Sequence, residues 1–301
     1  MKKGNILGGA FHTSSLTVVG LGLMGGSLAL ALRPHADTII GVDPNPETLA
    51  YAKANGIIDV GTDDLREGVS QAETVILAAP VRVIVELLER KLVSFLRYNT
   101  LVIDIGSTKQ EIVRAMSKLP IGIHAIGGHP MAGKEHSGIQ HAEARILIGR
   151  PFVLTPTERR TPATLSRAVA LVESIGAVPV QMDAARHDQT VATISHLPYI
   201  ISSALVATTA YQAQVDPAVW QLASSGFRDT SRLASSDIKM MMDILGTNKQ
   251  AVTTMLAFFR MQLAQLEALL ISGDEVGLVN FLSAIRDTRN EWWLNQQKGA
   301  K

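Results

Sequence analysis

The chain of 301 residues contains no cysteine. That absence excludes disulfides, thiolate zinc sites and a cysteine nucleophile together. It agrees with a reducing compartment, and a cytoplasmic protein is expected. Charge is sparse and balanced: 28 Lys plus Arg against 27 Asp plus Glu leave +1, with no dense basic run. A nucleic-acid surface built on phosphate contacts is therefore not expected, and a small ligand is. Nor is a membrane span: the most apolar stretch, residues 16–32, holds four glycines and Ser27 and falls short of the ~20 residues needed. Lys2 and Lys3 open the chain, but Gly4, Gly8 and Gly9 break the apolar run that an export signal requires, so these residues read as a loose leader. No H-E-x-x-H string occurs, and His129, His136 and His141 lack metal-ligand spacing, so no metal is expected. There is no internal repeat and no low-complexity segment.

What is present is core-forming material, 47% apolar against 18% charged residues, in a length that corresponds to about two domains. The first 180 or so residues alternate apolar runs with amphipathic stretches, the pattern of a parallel sheet with crossover helices. Strands are expected at 16–20, 38–42, 74–78, 100–105, 124–128, 152–154 and 178–181. Helices are expected at 24–32, 46–55, 81–92, 109–118 and 162–175. Pro151, Pro156 and Pro162 mark a loop and a further βαβ-like unit. After Asp183 the strand signals stop. Positions 252, 255, 256, 259, 263, 266 and 270 are all apolar at helical spacing, which predicts a long helix. Phe258 and Leu269 lie off that stripe, so the helix is apolar on more than one side, as in an interlocked homodimer. The expected domains are 14–183, α/β, and 184–301, all helical.

Gly20-Leu21-Gly22-Leu23-Met24-Gly25 is a G-x-G-x-x-G string that follows an apolar strand and opens a helix. That context makes it a dinucleotide fingerprint, with Leu23 and Met24 in the turn onto the helix. The helix N-terminus offers free N–H groups and its positive dipole end to a pyrophosphate. Asp43, 18 residues after Gly25, ends the next strand, where a carboxylate accepts hydrogen bonds from a ribose diol. It would repel a 2′-phosphate, and Pro44 and Asn45 bring no cation, so NAD is expected over NADP. Ala79 and Pro80, after the third expected strand, complete the cofactor contacts.

Three further segments follow strands or open the helical half: Asp104-Ile105-Gly106-Ser107-Thr108-Lys109, Gly127-Gly128-His129-Pro130-Met131-Ala132-Gly133, and His187-Asp188 through Ser195-His196-Leu197-Pro198. With Gly226-Phe227-Arg228-Asp229-Thr230-Ser231-Arg232, the set resembles the prephenate/arogenate dehydrogenases of tyrosine biosynthesis. The likeness runs from about residue 16 to beyond Asn248, and its weight lies in four segments in order. It implies a Rossmann-type nucleotide-binding domain followed by an all-α helical dimerisation domain. The length leaves no room for a fused chorismate mutase, so the monofunctional form is expected.

The reaction implied is oxidative decarboxylation: a cyclohexadienol gives up a hydride from C4 to NAD and its ring carboxylate leaves as CO₂. This needs a base at the hydroxyl, a cation at the carboxylate and a nicotinamide over C4. The resemblance makes His129, just past a strand end, the base, although a loop histidine satisfied by backbone is the plainer reading of that residue alone. Ser107 resembles the serine that binds the substrate hydroxyl and orients the histidine; it is also placed to cap the helix at 109–118, and both roles can coexist. Arg232 matches the arginine that pairs with the ring carboxylate through its planar fork. Arg228 and Glu135 resemble a charge pair at the pocket mouth, or form a plain surface salt bridge. His187 and Asp188 look like a cluster holding Arg232 or the domain junction, with a helix cap as the alternative for Asp188.

Pro198 interrupts the helical pattern at 188–210 and is expected to kink it, aiming His196 into the cleft. A core histidine bonded to a freed carbonyl is the alternative. Tyr199 stands where many family members carry a second histidine near the substrate side chain. Prephenate is expected and arogenate is the alternative: no Asp or Glu occurs between Gln189 and Gln214 to meet an ammonium. Adjacent Met240, Met241 and Met242 face different directions and read as core or interface filler. Two rivals remain, another β-hydroxyacid-type dehydrogenase and a non-catalytic NAD-binding protein; turnover of a cyclohexadienol separates both from the expected enzyme.

Overall fold

A computed structural model of the chain describes residues 11–299 apart from 135 and 160, with side chains to residue 297. The expected leader lies outside the described residues. Two compact units divide the chain, Met1–Lys249 and Gln250–Lys301.

In the first unit, β1 (Thr13–Val19), β2 (Ala36–Val42), β3 (Val60–Thr62), β4 (Thr74–Leu77), β5 (Leu101–Asp104), β6 (His124–Pro130), β7 (Pro151–Pro156) and β8 (Val178–Gln181) form one sheet. Its order is β3-β2-β1-β4-β5-β6-β7-β8. Helices α1 (Leu23–Leu32), α2 (Pro46–Ala54), α3 (Leu65–Val69), α4 (Val81–Glu86), α5 (Gln110–Met116) and α6 (Pro162–Ser174) lie between the strands in sequence. Every residue of β4 and β5 is buried, as expected of strands covered on both faces. Side chains alternate between two cores: along β4, Val75 and Leu77 join Ile84, Ile112 and Met116, whereas Ile76 joins Leu16, Leu28 and Leu171.

Strands β1 to β6 are parallel, but β7 runs antiparallel to β6, which corrects the all-parallel expectation. Among the described residues between β6 and β7, the helical elements are the short turns Ile139–His141 and Ala144–Leu147. No crossover helix is among them to carry the chain back to the start of the sheet, so β7 enters from the opposite end. The expected βαβ-like unit is β7-α6-β8, whose strands are parallel to each other. Two short elements, β3 and α3, were not expected; Val60–Thr62 spans one glycine and shows no apolar alternation. The expected helix at 81–92 is α4 followed by a wider i→i+5 turn, Leu87–Lys91.

The same unit continues through α7 (Ala184–Val191), α8 (Leu197–Ala213), α9 (Ala218–Leu222), α10 (Ser225–Ser231) and α11 (Ile238–Thr247). Asp183 caps α7, its side chain accepting from Arg186 N at 2.8 Å. Between α7 and α8 the chain makes a wide turn, Ala192–His196. Pro198 then falls at the second residue of α8, inside a helical run continuous from Ala184 to Ala213, where its missing N–H removes one backbone bond. The irregularity expected at Pro198 is thus absorbed just before it. Of the three methionines on α11, Met241 is buried while Met240 and Met242 are exposed.

The second unit is a helical hairpin of α12 (Lys249–Ser272) and α13 (Glu275–Gly299). Its turn closes the first helix with Asp274 N donating to Leu269 O and Gly273 N to Leu270 O, both at 3.3 Å. Asp274 then opens α13 by accepting from Gly277 N at 2.8 Å. Leu256, Phe259 and Leu266 of the expected stripe are half-buried, and Leu263 and Leu270 are exposed with Phe258. Exposed apolar residues continue on α13 as Val279, Leu282, Ile285, Trp292 and Trp293. By length and composition alone, Ala184–Ala213 and Lys249–Ser272 reach the size of a membrane span. The first carries His187, Asp188 and His196, all buried and bonded within the protein, and the second is the stripe read above as a dimer surface.

Candidate active site

The cofactor end starts at the glycine turn after β1. Gly20 has φ +96°, and a Cβ there would lie 2.6 Å from the carbonyl oxygen of Ala78. A Cβ on Gly25 would strike the Gly20 carbonyl, so the turn packs as tightly as a helix approaching a strand end allows. Gly22 faces open space, and no side chain caps α1. The first-turn N–H groups of Leu23 and Met24 therefore remain available to an anion. Asp43 braces the turn: one carboxylate oxygen accepts from Leu21 N at 2.8 Å and the other from Asn45 N at 2.9 Å. Beside it, Pro44, Pro46, Leu49, Gly61, Thr62 and Asp63 line a groove of about 350 Å³. A bare helix N-terminus, a glycine opening and an adjacent fixed carboxylate fit a dinucleotide. Ala79 is partly buried and Pro80 exposed where β4 ends.

His129 lies within β6 rather than beyond it. Parallel pairing with β5 stops at Ile126, but antiparallel pairing with β7 extends β6 and sets His129 opposite Val153. Its Nδ1 is 2.8 Å from Nε2 of His187, whose Nδ1 is 2.8 Å from Oδ1 of Asp188. A carboxylate only accepts, so His187 carries its proton on Nδ1. With each ring neutral, His187 Nε2 accepts from His129 Nδ1–H, and the lone pair of His129 is left on Nε2. Burial, then the neighbouring His187, Lys109 and His196, holds the pKa of His129 well below 6.5. The arrangement is an oriented, unprotonated imidazole with one nitrogen free to take a proton.

Beneath it lies a buried pair that sequence reasoning left unassigned, Lys109 and Asp104, both 0% exposed. Lys109 Nζ donates to Asp104, which also accepts from Gly106 N at 2.7 Å and Gly128 N at 3.0 Å. Gly128 makes this approach possible, since a Cβ there would lie 2.4 Å from the Asp104 carbonyl oxygen. Burial pushes the Asp104 carboxyl up and the Lys109 ammonium down.

Asp188 joins the helical segment to the sheet. It accepts from Lys109 N at 2.7 Å and Gln110 N at 2.9 Å, so a residue of α7 caps α5. The helix cap considered for Asp188 is observed, but on α5 and not on its own helix. Ser107 therefore does not cap α5; it is half-buried, and among the described residues the bond to the His129 ring comes from His187. A second carboxylate repeats the device: Asp243 of α11, also unassigned from the sequence, accepts from Val81 N at 2.5 Å and Arg82 N at 3.3 Å at the start of α4. Thr108 and Thr247 add a hydroxyl pair at 2.8 Å.

His196 is 1% exposed, and burial drives its pKa down to about 4 although Asp188 opposes the shift. Its Nδ1 lies 3.2 Å from Nδ2 of Asn248, so its partner is a side-chain amide and not the freed carbonyl considered above. Tyr199 is partly buried one turn on. Arg232 is exposed at the start of the turn Arg232–Ser235, which Ser202 of α8 anchors by accepting from Ala234 N at 3.0 Å. Arg228 pairs with its neighbour Asp229 at 2.9 Å, both well exposed; the Glu135 expected opposite it lies outside the described residues. His129, His187, Asp188 and His196 are thus brought together. Among the described residues no cluster of His, Asp or Glu has the form of a metal site.

The description "prephenate dehydrogenase, nucleotide-binding domain" matches residues 28–181, and "prephenate dehydrogenase, dimerization domain" matches residues 183–284. The prephenate dehydrogenase of Bacillus subtilis (strain 168) is 33% identical over 289 residues, 95% of this chain and 78% of that protein. Among solved structures, prephenate dehydrogenase from A. aeolicus in complex with hydroxyphenyl propionate and NAD+ is 33% identical with a TM-score of 0.86, covering 92% of this chain and 98% of that one. Synechocystis arogenate dehydrogenase is 34% identical with a TM-score of 0.81, covering 92% and 99%. The chain belongs to the prephenate dehydrogenase family of NAD-linked oxidoreductases.

Proposed function

We propose that this family member catalyses the oxidative decarboxylation of prephenate to 4-hydroxyphenylpyruvate and CO₂, using NAD and His129 as base. The observation that carries this reading is the ordered chain from Asp188 through His187 to His129, which leaves one nitrogen of a neutral imidazole free. His129 takes the C4 hydroxyl proton as the C4 hydride departs, then returns it to the phenolate oxygen formed when the ring carboxylate leaves as CO₂. NAD, when bound, supplies the hydride acceptor. Gly20, Gly22, Leu23, Met24 and Gly25 hold its pyrophosphate, Asp43 its ribose, and Ala79 and Pro80 border it. The fixed charge of Asp43, with no cation at Pro44 or Asn45, favours NAD over NADP. Ser107 hydrogen-bonds the reacting hydroxyl, Arg232 clamps the ring carboxylate, and His196 and Tyr199 meet the side chain. Arg228 and Glu135 stand at the mouth.

Relatives of similar identity include both a prephenate and an arogenate dehydrogenase, so the substrate is argued from the site itself. An ammonium needs a carboxylate or several carbonyls in a buried site. Asp188, the acidic residue nearest His196 in sequence, already accepts from Lys109 N, Gln110 N and His187. Tyr199 offers a neutral hydroxyl that donates to a keto acid. The apolar faces of α12 and α13 are the contact of a homodimer, and the cap at Asp183 supports a domain boundary near residue 183.

The experiment is a comparison of kcat/KM for prephenate and arogenate, each with NAD and NADP. Prephenate with NAD should give the highest value. A tenfold preference for arogenate, about 1.4 kcal/mol of transition-state discrimination, would overturn the substrate assignment.

A further inference from the structure

Asn248 is 3% exposed, and its amide nitrogen has two partners: the carbonyl oxygen of Asp188 at 2.8 Å and Nδ1 of His196 at 3.2 Å. A carbonyl oxygen only accepts, so the nitrogen of the amide, not its oxygen, faces Asp188. That fixes the orientation of the whole side chain, which coordinates alone often leave open. The second amide hydrogen then points at His196 Nδ1, which must accept it. At neutral pH the buried ring holds a single proton, its pKa lying at about 4. That proton is therefore on Nε2, which has no hydrogen-bond partner among the described residues.

We propose that Asn248 is a positioning residue that sets the tautomer of His196, so that the substrate meets a neutral N–H donor at this histidine. The two histidines then present opposite polarities. His129 offers a lone pair to the hydroxyl that must lose a proton, and His196 offers a hydrogen to an oxygen of the keto-acid side chain. An ammonium in that place would meet a donor instead of an acceptor. The inference rests on the reading of this cleft as a cyclohexadienol site, but the tautomer is measurable without substrate.

The test is ¹⁵N spectroscopy of enzyme labelled in its histidine rings, with His196 assigned from a His196→Gln variant. Wild-type protein at neutral pH should show a protonated Nε2 and an unprotonated Nδ1. A proton on Nδ1 would overturn the proposal, whatever substrate the enzyme uses. In Asn248→Leu the two tautomers should mix, and KM for prephenate should rise about tenfold, the size expected for one neutral hydrogen bond, with kcat changed less than the KM. Equal losses in kcat and KM with an unaltered His196 spectrum would assign Asn248 a merely structural role. Should Asn248→Leu fail to fold, the wild-type spectrum still decides. A protonated Nε2 in an enzyme that turns over neither cyclohexadienol would support the tautomer and overturn the substrate reading.

Discussion

The sheet end that carries His129 and the hairpin of α12 and α13 use their side chains in opposite ways. Around His129, the charged or titratable residues Asp104, Lys109, His187, Asp188 and His196 are at most 1% exposed, and each is hydrogen-bonded within the chain. On the hairpin, apolar residues lie outside: Leu270 is 65% exposed, Val279 62% and Ile285 55%. Buried polar groups are costly unless satisfied, and exposed apolar surface is costly unless covered. The first region is satisfied by one chain, which is what a site needing fixed protons and fixed distances requires. The second calls for a second copy, as its dimerization-domain match implies.

If that division is right, damage to one region should leave the other intact. The largest effect is expected at the base. His129→Asn should lower kcat by about 10²–10⁴ while NAD affinity and oligomeric state stay unchanged, as kinetics, titration and sedimentation would show. A dissociated dimer in this variant would show that the two regions are coupled.

Acid should act on the first region and spare the hairpin, which contains no histidine. His196 titrates at about 4 when folded against 6.5 ordinarily. Between those values the unfolded chain binds more protons than the native one. The stability tied to this group is thus fully present above pH 6.5 and is lost as pH falls toward 4, by about 3 kcal/mol in all. Urea unfolding at both ends of that range should show a smaller acid loss in His196→Gln than in wild type; equal losses would contradict the assignment.

On the hairpin, Leu270→Glu should weaken self-association by about 2 kcal/mol, read by sedimentation, with NAD binding preserved. A monomer unable to bind NAD would show that the regions are not separable. The smallest effect is expected for Asp43→Ala, which should weaken NAD binding about tenfold and narrow the gap to NADP. Wild-type preference for NADP would refute the role given to Asp43.

Much of this was legible in the sequence because it is local. Strand and helix periodicity, the glycine string, Asp43 at a strand end and the apolar stripe of α12 each lie within a window of one or two elements. The family likeness added His129 and its neighbours as candidates. What escaped was long-range: Asp188 caps a helix that begins 78 residues earlier in the chain, and Asn248 bonds a histidine 52 residues away. Nothing in the local pattern distinguishes those residues from an ordinary cap or a polar surface group. Lys109 was hidden for a different reason, since a lysine after a strand reads as exposed and only its pairing with Asp104 permits its burial. The reversal of β7 was implicit in the sequence, where no helical stretch is expected between the strands at 124–128 and 152–154 to make a parallel crossover.

As the proposed base, His129 is held unprotonated by its burial and its neighbours. The pH dependence of kcat/KM in wild type and His129→Asn tests this role most directly. Protonation of His129 removes the acceptor, so activity should fall on the acid side, through a pKa well below 6.5. The wild-type profile should stay flat as pH is lowered through 6.5 and fall only beneath it, and the residual rate in His129→Asn should lack this limb. An acid limb centred at or above 6.5, or the same limb persisting in His129→Asn, would contradict that role.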